Sequence, residues 1–199
     1  MMHNGILIVE DELIIANGIA ELLTDEEYAV TGIAKSAAEA LAFCHTAAQP
    51  PAVVLCDINI KGDVKGPELA VQLKQEWNAE IIFLTAYSDS STLEQAFAAD
   101  PVMYLVKPYN DTQLLVAVQM AFHRFFKNQS ARSYPRLDLT DREKEIARLI
   151  AEGLTSKQVA RQLYISVETV KTHRRRMLQK NNLSNFPHLV YIMNKEKVQ

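Results

Sequence analysis

Residues 52–60 read Ala-Val-Val-Leu-Cys-Asp-Ile-Asn-Ile, and this stretch decides the fold. Its first five side chains are apolar, which predicts a short buried strand that is far too short for a membrane span. The strand ends at Asp57. Ligands of an open parallel sheet bind beyond the carboxyl ends of its strands, so this carboxylate marks a candidate site. The alternative is an aspartate that only begins a turn, where this residue type is common.

Four apolar runs of the chain end on polar side chains in the same way. The polar residues that follow them are Glu10, Asp11, Asp57, Thr85 and Lys107. Because parallel strands end at the same edge of a sheet, we expect these side chains to meet. Carboxylate oxygens suit a hard cation, and the lysine and threonine suit a phosphoryl group. The sequence therefore predicts one site for both at this edge.

Composition limits the class of protein. The 199 residues are 48% apolar, as in globular proteins. No run approaches the roughly 18 apolar residues of a membrane span, and acids follow the short amino-terminal apolar run, which argues against a signal peptide. Cys44 and Cys56 are too few for a disulfide framework, so both are expected to be free thiols. We therefore expect a cytoplasmic protein without a membrane partner.

Charge is distributed unevenly along the chain. Residues 1–126 carry 6 lysines and arginines against 17 acids, and residues 127–199 carry 15 against 7. The net charges of the two parts are thus −11 and +8, although the whole chain has only −3. A basic segment behind an acidic domain suggests a polyanion such as nucleic acid as its partner.

Strand-like runs alternate with helical stripes about five times over residues 1–126. This alternation predicts an α/β domain with a doubly wound parallel sheet and right-handed crossovers. Ser36 is expected to cap the second helix, because Glu39 follows it at the spacing of a capping box. Later helices are placed at about residues 89–98 and 112–126.

Residues 127–136 have no apolar period and are predicted to form a linker. From residue 137 to residue 199 the pattern is helical throughout, which predicts a small all-α domain of four helices. Capping boxes are predicted at Thr140 and Ser166. The chain is therefore predicted to hold two domains, 1–126 and 137–199.

The order of polar residues after the strands resembles the receiver domain of bacterial two-component response regulators, a flavodoxin-like fold, over residues 4–126. The resemblance implies that Asp57 accepts a phosphoryl group from a histidine kinase by nucleophilic attack. It also implies Mg²⁺ as the cofactor, held by Glu10, Asp11, Asp57 and the backbone carbonyl of Asn59. For the two consecutive acids, an ordinary solvated turn is the alternative.

The same resemblance assigns roles at the ends of the last two strands. Lys107 would pair with one phosphoryl oxygen and Thr85 would hydrogen-bond another. Tyr104 would be the switch aromatic that moves inward as Thr85 closes on the phosphoryl group. A core aromatic is the alternative for Tyr104. The Lys107-Pro108 peptide is expected to be cis.

The loop after Asp57 departs from the family pattern. The family usually has proline where Lys61 stands and a glycine one residue before Gly66. No expected ligand is lost by this change. The conformation of the loop, and the partner surface beside it, are left open.

Residues 137–195 resemble the four-helix helix-turn-helix domain of LuxR/NarL (FixJ)-type transcription factors. The matching runs are residues 139–143, 150–157 and 165–173. The helix that begins at Val167 is amphipathic, with Val167, Val170 and Met177 expected to face the core. Its opposite stripe would enter the major groove of DNA.

The residues predicted to contact base edges are Lys171, Thr172 and Arg175. Those predicted to contact phosphates are Thr169, Arg174, Arg176 and Lys180. A merely solvated basic face is the alternative for the three consecutive arginines, and His173 is expected to pack within the domain. The turn that follows this helix departs from the Leu-Gly usual in the family.

The two resemblances together imply a DNA-binding response regulator, and not an enzyme beyond accepting and losing its own phosphoryl group. Phosphorylation of Asp57 would shift the receiver to an active state that dimerises and binds promoter DNA. The implied partners are a sensor histidine kinase, double-stranded DNA and a second copy, with RNA polymerase as a further candidate. Leu189, Val190 and Met193 would form the dimer surface, although they could equally close the core of their own domain.

Two other functions are left open by the sequence. A phosphatase also uses an aspartate at a strand end, but it typically has a second acid two residues later, where this chain has Asn59. A DNA-binding protein whose first domain dimerises without phosphorylation is the other alternative. The intact set of acids argues against it, whereas equal DNA affinity of Asp57→Ala and wild type would support it.

Overall fold

The computed structural model describes residues 5–86, 96–129 and 136–196. Contacts divide the chain into two compact units, Met1–Tyr109 and Asn110–Gln199. This division falls before the helix that was assigned to the first domain, and the boundaries at 126 and 137 stay predictions. Most of the helix expected at 89–98, and of the linker expected at 127–136, lies outside the described residues.

A parallel sheet of five strands forms the first unit. Its strands are β1 (Gly5–Val9), β2 (Ala29–Ala34), β3 (Val53–Asp57), β4 (Glu80–Thr85) and β5 (Met103–Val106). The spatial order is β2-β1-β3-β4-β5, the flavodoxin-like order of a doubly wound sheet. The three central strands are buried along their whole length. The predicted fold class is confirmed.

Helices described in the first unit are α1 (Leu13–Asp25), α2 (Ala37–Thr46) and α3 (Gly66–Trp77). The Ser36 side chain caps α2 by accepting a hydrogen bond from the Glu39 N–H group. Cys44 and Cys56 are buried free thiols. All of these features agree with the predictions.

The second unit is helical in the part that the structure describes. Its helices are α4 (Asp111–Gln129), α5 (Asp141–Ala151), α6 (Ser156–Gln162), α7 (Val167–Lys180) and α8 (Phe186–Glu196). The capping box at Thr140 is confirmed. The one predicted at Ser166 is wrong, because the Thr169 hydroxyl pairs with the Ser166 hydroxyl and is too short to reach back to the N-cap backbone. No described helix is long and apolar enough to cross a bilayer.

One apolar cluster forms the core of the helices after α4, and it includes Val170 and Met177 of α7 as predicted. Val167 was also expected to face inward but is 39% exposed, because it begins α7 ahead of the turn that packs on the core. Leu189, Val190 and Met193 of α8 are buried in the same core. They therefore close their own unit, which is the alternative that the sequence left open for the expected dimer surface.

Helix α4 packs against α8 within this second unit. The ring of Phe126 stacks on His188 with centroids 4.5 Å apart. His123 and Phe126 also contact the Tyr191 ring, at 5.2 and 5.8 Å between centroids. One face of α8 is therefore covered by aromatic side chains of α4.

Candidate functional site

Three charged side chains meet at the carboxyl edge of the sheet. Glu10 follows β1, Asp57 ends β3 and Lys107 follows β5. The Lys107 Nζ atom lies 2.6 Å from Glu10 Oε2 and 2.6 Å from Asp57 Oδ2. Glu10 is fully buried and Asp57 is only 9% exposed. The strand order thus brings together three of the five polar groups that the sequence placed at this edge.

Burial and charge act against each other in this group. Burial raises the pKa of Glu10, the hydrogen bond from Lys107 opposes that rise, and the charge of Asp57 adds to it. Burial alone would lower the pKa of Lys107, but hydrogen bonds to Asp57 and Glu10 outweigh it and raise that pKa. Lys107 is therefore charged at neutral pH and offsets the repulsion between the two carboxylates.

Asp11 is held by a different cation. The Lys61 Nζ atom lies 2.9 Å from Asp11 Oδ2, so the unusual loop after Asp57 reaches the candidate metal ligands. The Asn59 N–H group donates to Asp57 Oδ1 at 2.8 Å, while its carbonyl as a metal ligand stays a prediction.

Carboxylate oxygens are the right donors for a hard cation such as Mg²⁺. Across the described ranges, however, no three acidic, histidine or cysteine side chains form a ready-made metal cage. Lys107 instead forms ion pairs with Glu10 and Asp57, and Lys61 forms one with Asp11. The donor set therefore fits a divalent cation in its chemistry, provided that these ammonium groups shift.

Two predicted switch residues lie on the neighbouring strands. Thr85 ends β4 and is 6% exposed. The Tyr104 ring stacks on Phe83 at 5.5 Å and meets the edge of Phe97 at 5.6 Å. Its hydroxyl is buried with no hydrogen-bond partner among the described residues, and burial raises the pKa of Tyr104. The ring is thus partly buried and packs against the core, and its switch role stays a prediction.

Gly66 lies directly against the backbone at the end of β3. Its N–H group donates to the Ile58 carbonyl at 3.2 Å. A Cβ atom at Gly66 would lie 2.3 Å from the Asp57 carbonyl oxygen and 2.9 Å from Ile58 Cα. The glycine that comes one residue late is therefore still the residue that lets α3 approach Asp57. The Lys107-Pro108 peptide is cis, as predicted.

Sequence reasoning missed two residues beside this site. One is Lys61, which was seen as a departure from the family but not as the partner of Asp11. The other is Tyr109, whose pKa burial raises to about 12, with the charge of Lys107 opposing that rise. The only available signal for Tyr109 was its place directly after the Lys-Pro pair.

The polar stripe of α7 lies on the surface of the second unit. Thr169, Arg175 and Arg176 are exposed, and Lys171 and Thr172 are partly exposed. Arg175 Nη1 lies 3.4 Å from Glu168 Oε1, a loose contact that leaves the guanidinium accessible. His173 is partly buried, as expected of a residue that packs within the domain.

Arg174 does not lie on this surface, in contrast to the prediction from the sequence. It is 1% exposed, its Nη1 group donates to Ser156 Oγ at 3.0 Å, and its guanidinium stands 4.9 Å from the centroid of the Phe186 ring. The prediction that it contacts phosphates is wrong for this structure. Val170, Arg174 and Met177 share the inner face of α7 at helical spacing, which is a signal that the sequence already contained.

Lys180 was also expected to contact phosphates, and that contact stays a prediction; in the structure its ammonium group forms an ion pair within its own unit. Its Nζ atom lies 2.6 Å from Oε2 of Glu143, which also closes the capping box with Thr140. Burial alone would raise the pKa of Glu143, but the hydrogen bonds from Lys180 and Thr140 outweigh burial and lower that pKa. Lys180 therefore ties the end of α7 to the start of α5.

Replacing Lys180 by methionine should destabilise the second unit by about 1 kcal/mol at pH 7, since a buried carboxylate loses a charged donor. Because the pKa of Glu143 is lower in the fold than its ordinary value of about 4.5, its charged form stabilises the fold at pH values above 4.5. This contribution to stability is lost as pH falls through the folded pKa. The difference in stability between Lys180→Met and wild type should therefore shrink as pH falls below about 4.5 and vanish only below the folded pKa of Glu143. Thermal unfolding of the full chain at pH 7 and at a series of decreasing pH values measures this difference.

Lys144→Met is the matched control, because Lys144 pairs with Asp141 at 3.4 Å and Asp141 is fully exposed. Exposed pairs of this kind contribute little to stability. An equal loss in the Lys144 and Lys180 variants, or a gap that persists at low pH, would contradict the assignment.

Comparison with known proteins covers both units. The model of the response regulator receiver domain family matches residues 6–119. The model of the luxR family of bacterial regulatory proteins matches residues 137–193. Together these two matches span nearly the whole chain.

Two relatives match this chain over most of the length of both proteins. The chain is 30% identical over 190 residues to a nitrate/nitrite response regulator protein homolog of Haemophilus influenzae, covering 89% of this chain and 90% of that protein. It is 30% identical over 189 residues to the transcriptional regulatory protein UhpA of Escherichia coli, covering 90% and 92%.

Solved structures of two response regulator proteins or domains are also similar to this chain. The response regulator StyR superposes with a TM-score of 0.56 at 26% identity, covering 98% of this chain and 100% of that one. The receiver domain of a diguanylate cyclase from Desulfovibrio desulfuricans superposes with a TM-score of 0.59 at 31% identity, covering 64% and 99%. The chain therefore belongs to the LuxR/NarL-type response regulators, the DNA-binding transcription regulators of bacterial two-component systems.

Proposed function

We propose that Asp57 accepts a phosphoryl group from a phosphohistidine of a sensor kinase, and that this event controls DNA binding by α7. The pairing of Asp57 with Lys107 at 2.6 Å, at the open edge of the sheet, carries this proposal. An Asp57 oxygen would attack phosphorus, so that a P–O bond forms as the P–N bond breaks. The imidazole nitrogen leaves with the electron pair of the broken bond.

The proposed cofactor of this site is Mg²⁺, since receiver domains of this type generally bind it at the phosphorylation site. Glu10, Asp11, Asp57 and the Asn59 carbonyl would hold the ion, as their oxygen chemistry suits it. A bound Mg²⁺ would offset the repulsion between the carboxylate and the phosphoryl oxygens.

Two of this chain's own side chains would hold the transferred group. Lys107, already charged and directed at Asp57, would turn to a phosphoryl oxygen through a charge-assisted hydrogen bond. Thr85 would bond another oxygen, and Tyr104 would follow its movement as the switch residue. The product acyl phosphate is subject to attack by water, so the domain is expected to lose its own phosphoryl group slowly.

DNA recognition is assigned to the exposed stripe of α7. Lys171, Thr172 and Arg175 would contact bases, while Thr169 and Arg176 would contact phosphates. Since the partner is promoter DNA, we place the protein in the bacterial cytoplasm, where RNA polymerase is a further candidate partner.

Homodimerisation on DNA is also part of the proposal. The apolar side chains of α8 are buried, and Phe126 of α4 covers its aromatic face. A dimer formed through the face of α8 that bears His188 and Tyr191 would therefore require α4 to move away first. We propose that phosphorylation favours this movement.

Intact mass after incubation with a small-molecule phosphodonor and Mg²⁺ tests the acceptor role. Wild type should gain one adduct of about 80 Da, as one phosphoryl group adds to one carboxylate. Asp57→Asn should gain none. Asp63→Asn removes an exposed acid of the same loop and should be modified like wild type.

An adduct that persists in Asp57→Asn would place the acceptor elsewhere. Continuous release of phosphate from a phosphomonoester, lost in Asp57→Asn, would instead support the phosphatase alternative. DNA affinity measured with and without the phosphodonor completes the test. It should rise on phosphorylation in wild type and stay constant in Asp57→Asn.

A further inference from the structure

The acidic site already holds two protein cations. Lys107 stands on the inner carboxylates of Glu10 and Asp57, at 2.6 Å from each. Lys61 stands on Asp11, at 2.9 Å. Every carboxylate assigned to the metal thus carries an ammonium group, and a metal ion that takes Asp11 has to displace Lys61.

Lys61 is anchored by its backbone and not by its side chain. Its backbone forms an isolated parallel bridge with Ser36, the residue that caps α2. Ile60, directly before it, is fully buried. The Lys61 side chain itself is 80% exposed. The Cα atom is therefore fixed within reach of Asp11, while the ammonium group can leave for solvent without loss of packing.

The Lys61 side chain is a cation at neutral pH, because the ordinary pKa of lysine lies far above 7. A divalent ion and an ammonium group on one carboxylate repel each other, so the two compete for Asp11.

We propose that Lys61 is a tethered competitor of Mg²⁺ for Asp11 and weakens magnesium binding at the phosphoryl-acceptor site. This inference rests on the proposed function, which places the metal on these acids. The family usually has proline at this position, and proline offers no cation. Lys61 would therefore set the magnesium concentration at which this chain becomes ready to accept a phosphoryl group.

Calorimetric titration of the unphosphorylated full chain with MgCl₂ tests the proposal directly, since it measures metal affinity without any reaction. Lys61→Gln should bind Mg²⁺ about three- to five-fold more tightly than wild type, the range expected from loss of one exposed ion pair. Lys61→Arg keeps the charge and should bind like wild type. Higher salt should narrow the difference, because it screens the pair.

Lys65→Gln is the matched control. It removes the same charge from the same exposed loop, and Lys65 forms no ion pair with an acid among the described residues. Its magnesium affinity should stay close to that of wild type. In an Asp11→Asn background, Lys61→Gln should no longer have any effect, because the shared carboxylate is gone.

Equal affinities of wild type and Lys61→Gln would overturn the inference and leave the metal site of the proposed function standing. Equal tightening in Lys65→Gln would also overturn it, since it would show a general charge effect. Absence of magnesium binding in wild type and all variants would overturn both this inference and the magnesium part of the proposed function.

Discussion

Replacing Arg174 by alanine should destabilise the DNA-binding unit by about 3 kcal/mol, although arginines in recognition helices usually act on the surface. Arg174 is 1% exposed and joins three helices, through Ser156 at the start of α6 and Phe186 at the start of α8. The substitution removes a hydrogen bond from a charged donor and a cation–π contact, and it leaves a cavity. DNA binding should be lost because the fold is lost.

Arg176→Ala is the control, since Arg176 lies two residues further along α7 and is exposed. Its stability should stay within about 0.5 kcal/mol of wild type. Its DNA affinity should fall and depend less steeply on salt, by about one unit of slope, as for loss of one phosphate contact. Thermal unfolding and DNA titrations at several salt concentrations measure both effects.

If Arg174→Ala instead left stability unchanged but weakened DNA binding and its salt dependence, Arg174 would contact DNA phosphates after all, as the sequence suggested. Arg174→Lys sharpens the comparison, because lysine keeps the charge but not the planar group that stacks on Phe186. It should recover only part of the lost stability.

Alanine at Gly66 should destabilise the first unit by about 3 kcal/mol and disturb the proposed phosphorylation of Asp57. The added methyl group would lie 2.3 Å from the Asp57 carbonyl oxygen and 2.9 Å from Ile58 Cα. These neighbours are backbone atoms of β3 and the residue after it, so the strain cannot be relieved by rotating a side chain. Either α3 or the end of β3 has to shift, and Asp57 shifts with the latter.

Gly18→Ala supplies the contrast. Nothing lies within 4 Å of a Cβ atom at Gly18, which is exposed in the middle of α1. Alanine there should stabilise the chain by about 1 kcal/mol, because glycine is a poor helix former. Urea unfolding and the rate of adduct formation should separate the two variants, and wild-type values for Gly66→Ala would refute the assigned role of the close contact.

Several features of the fold could be predicted because they depend on local pattern. The apolar run before Asp57 is long enough for one strand and ends on an acid, so strand and site appear together. The caps at Ser36 and Thr140 depend on residues only three positions apart, and both form. The Ser166 box failed for an equally local reason, the short side chain of Thr169.

The inner face of α7 shows where pattern reasoning was incomplete. A charged side chain on a basic helix was assigned to the surface by its type alone. Its spacing from Val170 and Met177 places Arg174 in the core, where it donates to Ser156 and lies over the Phe186 ring. The charge of Arg174 led to a wrong prediction of exposure, because a charged side chain can be buried where other helices supply its partners.

The sequence by itself determined the succession of strands and helices along the chain, the acids that end the strands and the basic stripe of α7. The spacing of apolar and polar side chains along the chain sets these features. Only the tertiary structure decided which cation stands on which carboxylate. Lys107 reaches Glu10 and Asp57 across 97 and 50 residues of chain, and Lys61 takes Asp11. Such pairings follow from strand order and side-chain reach between distant segments, which no local pattern contains.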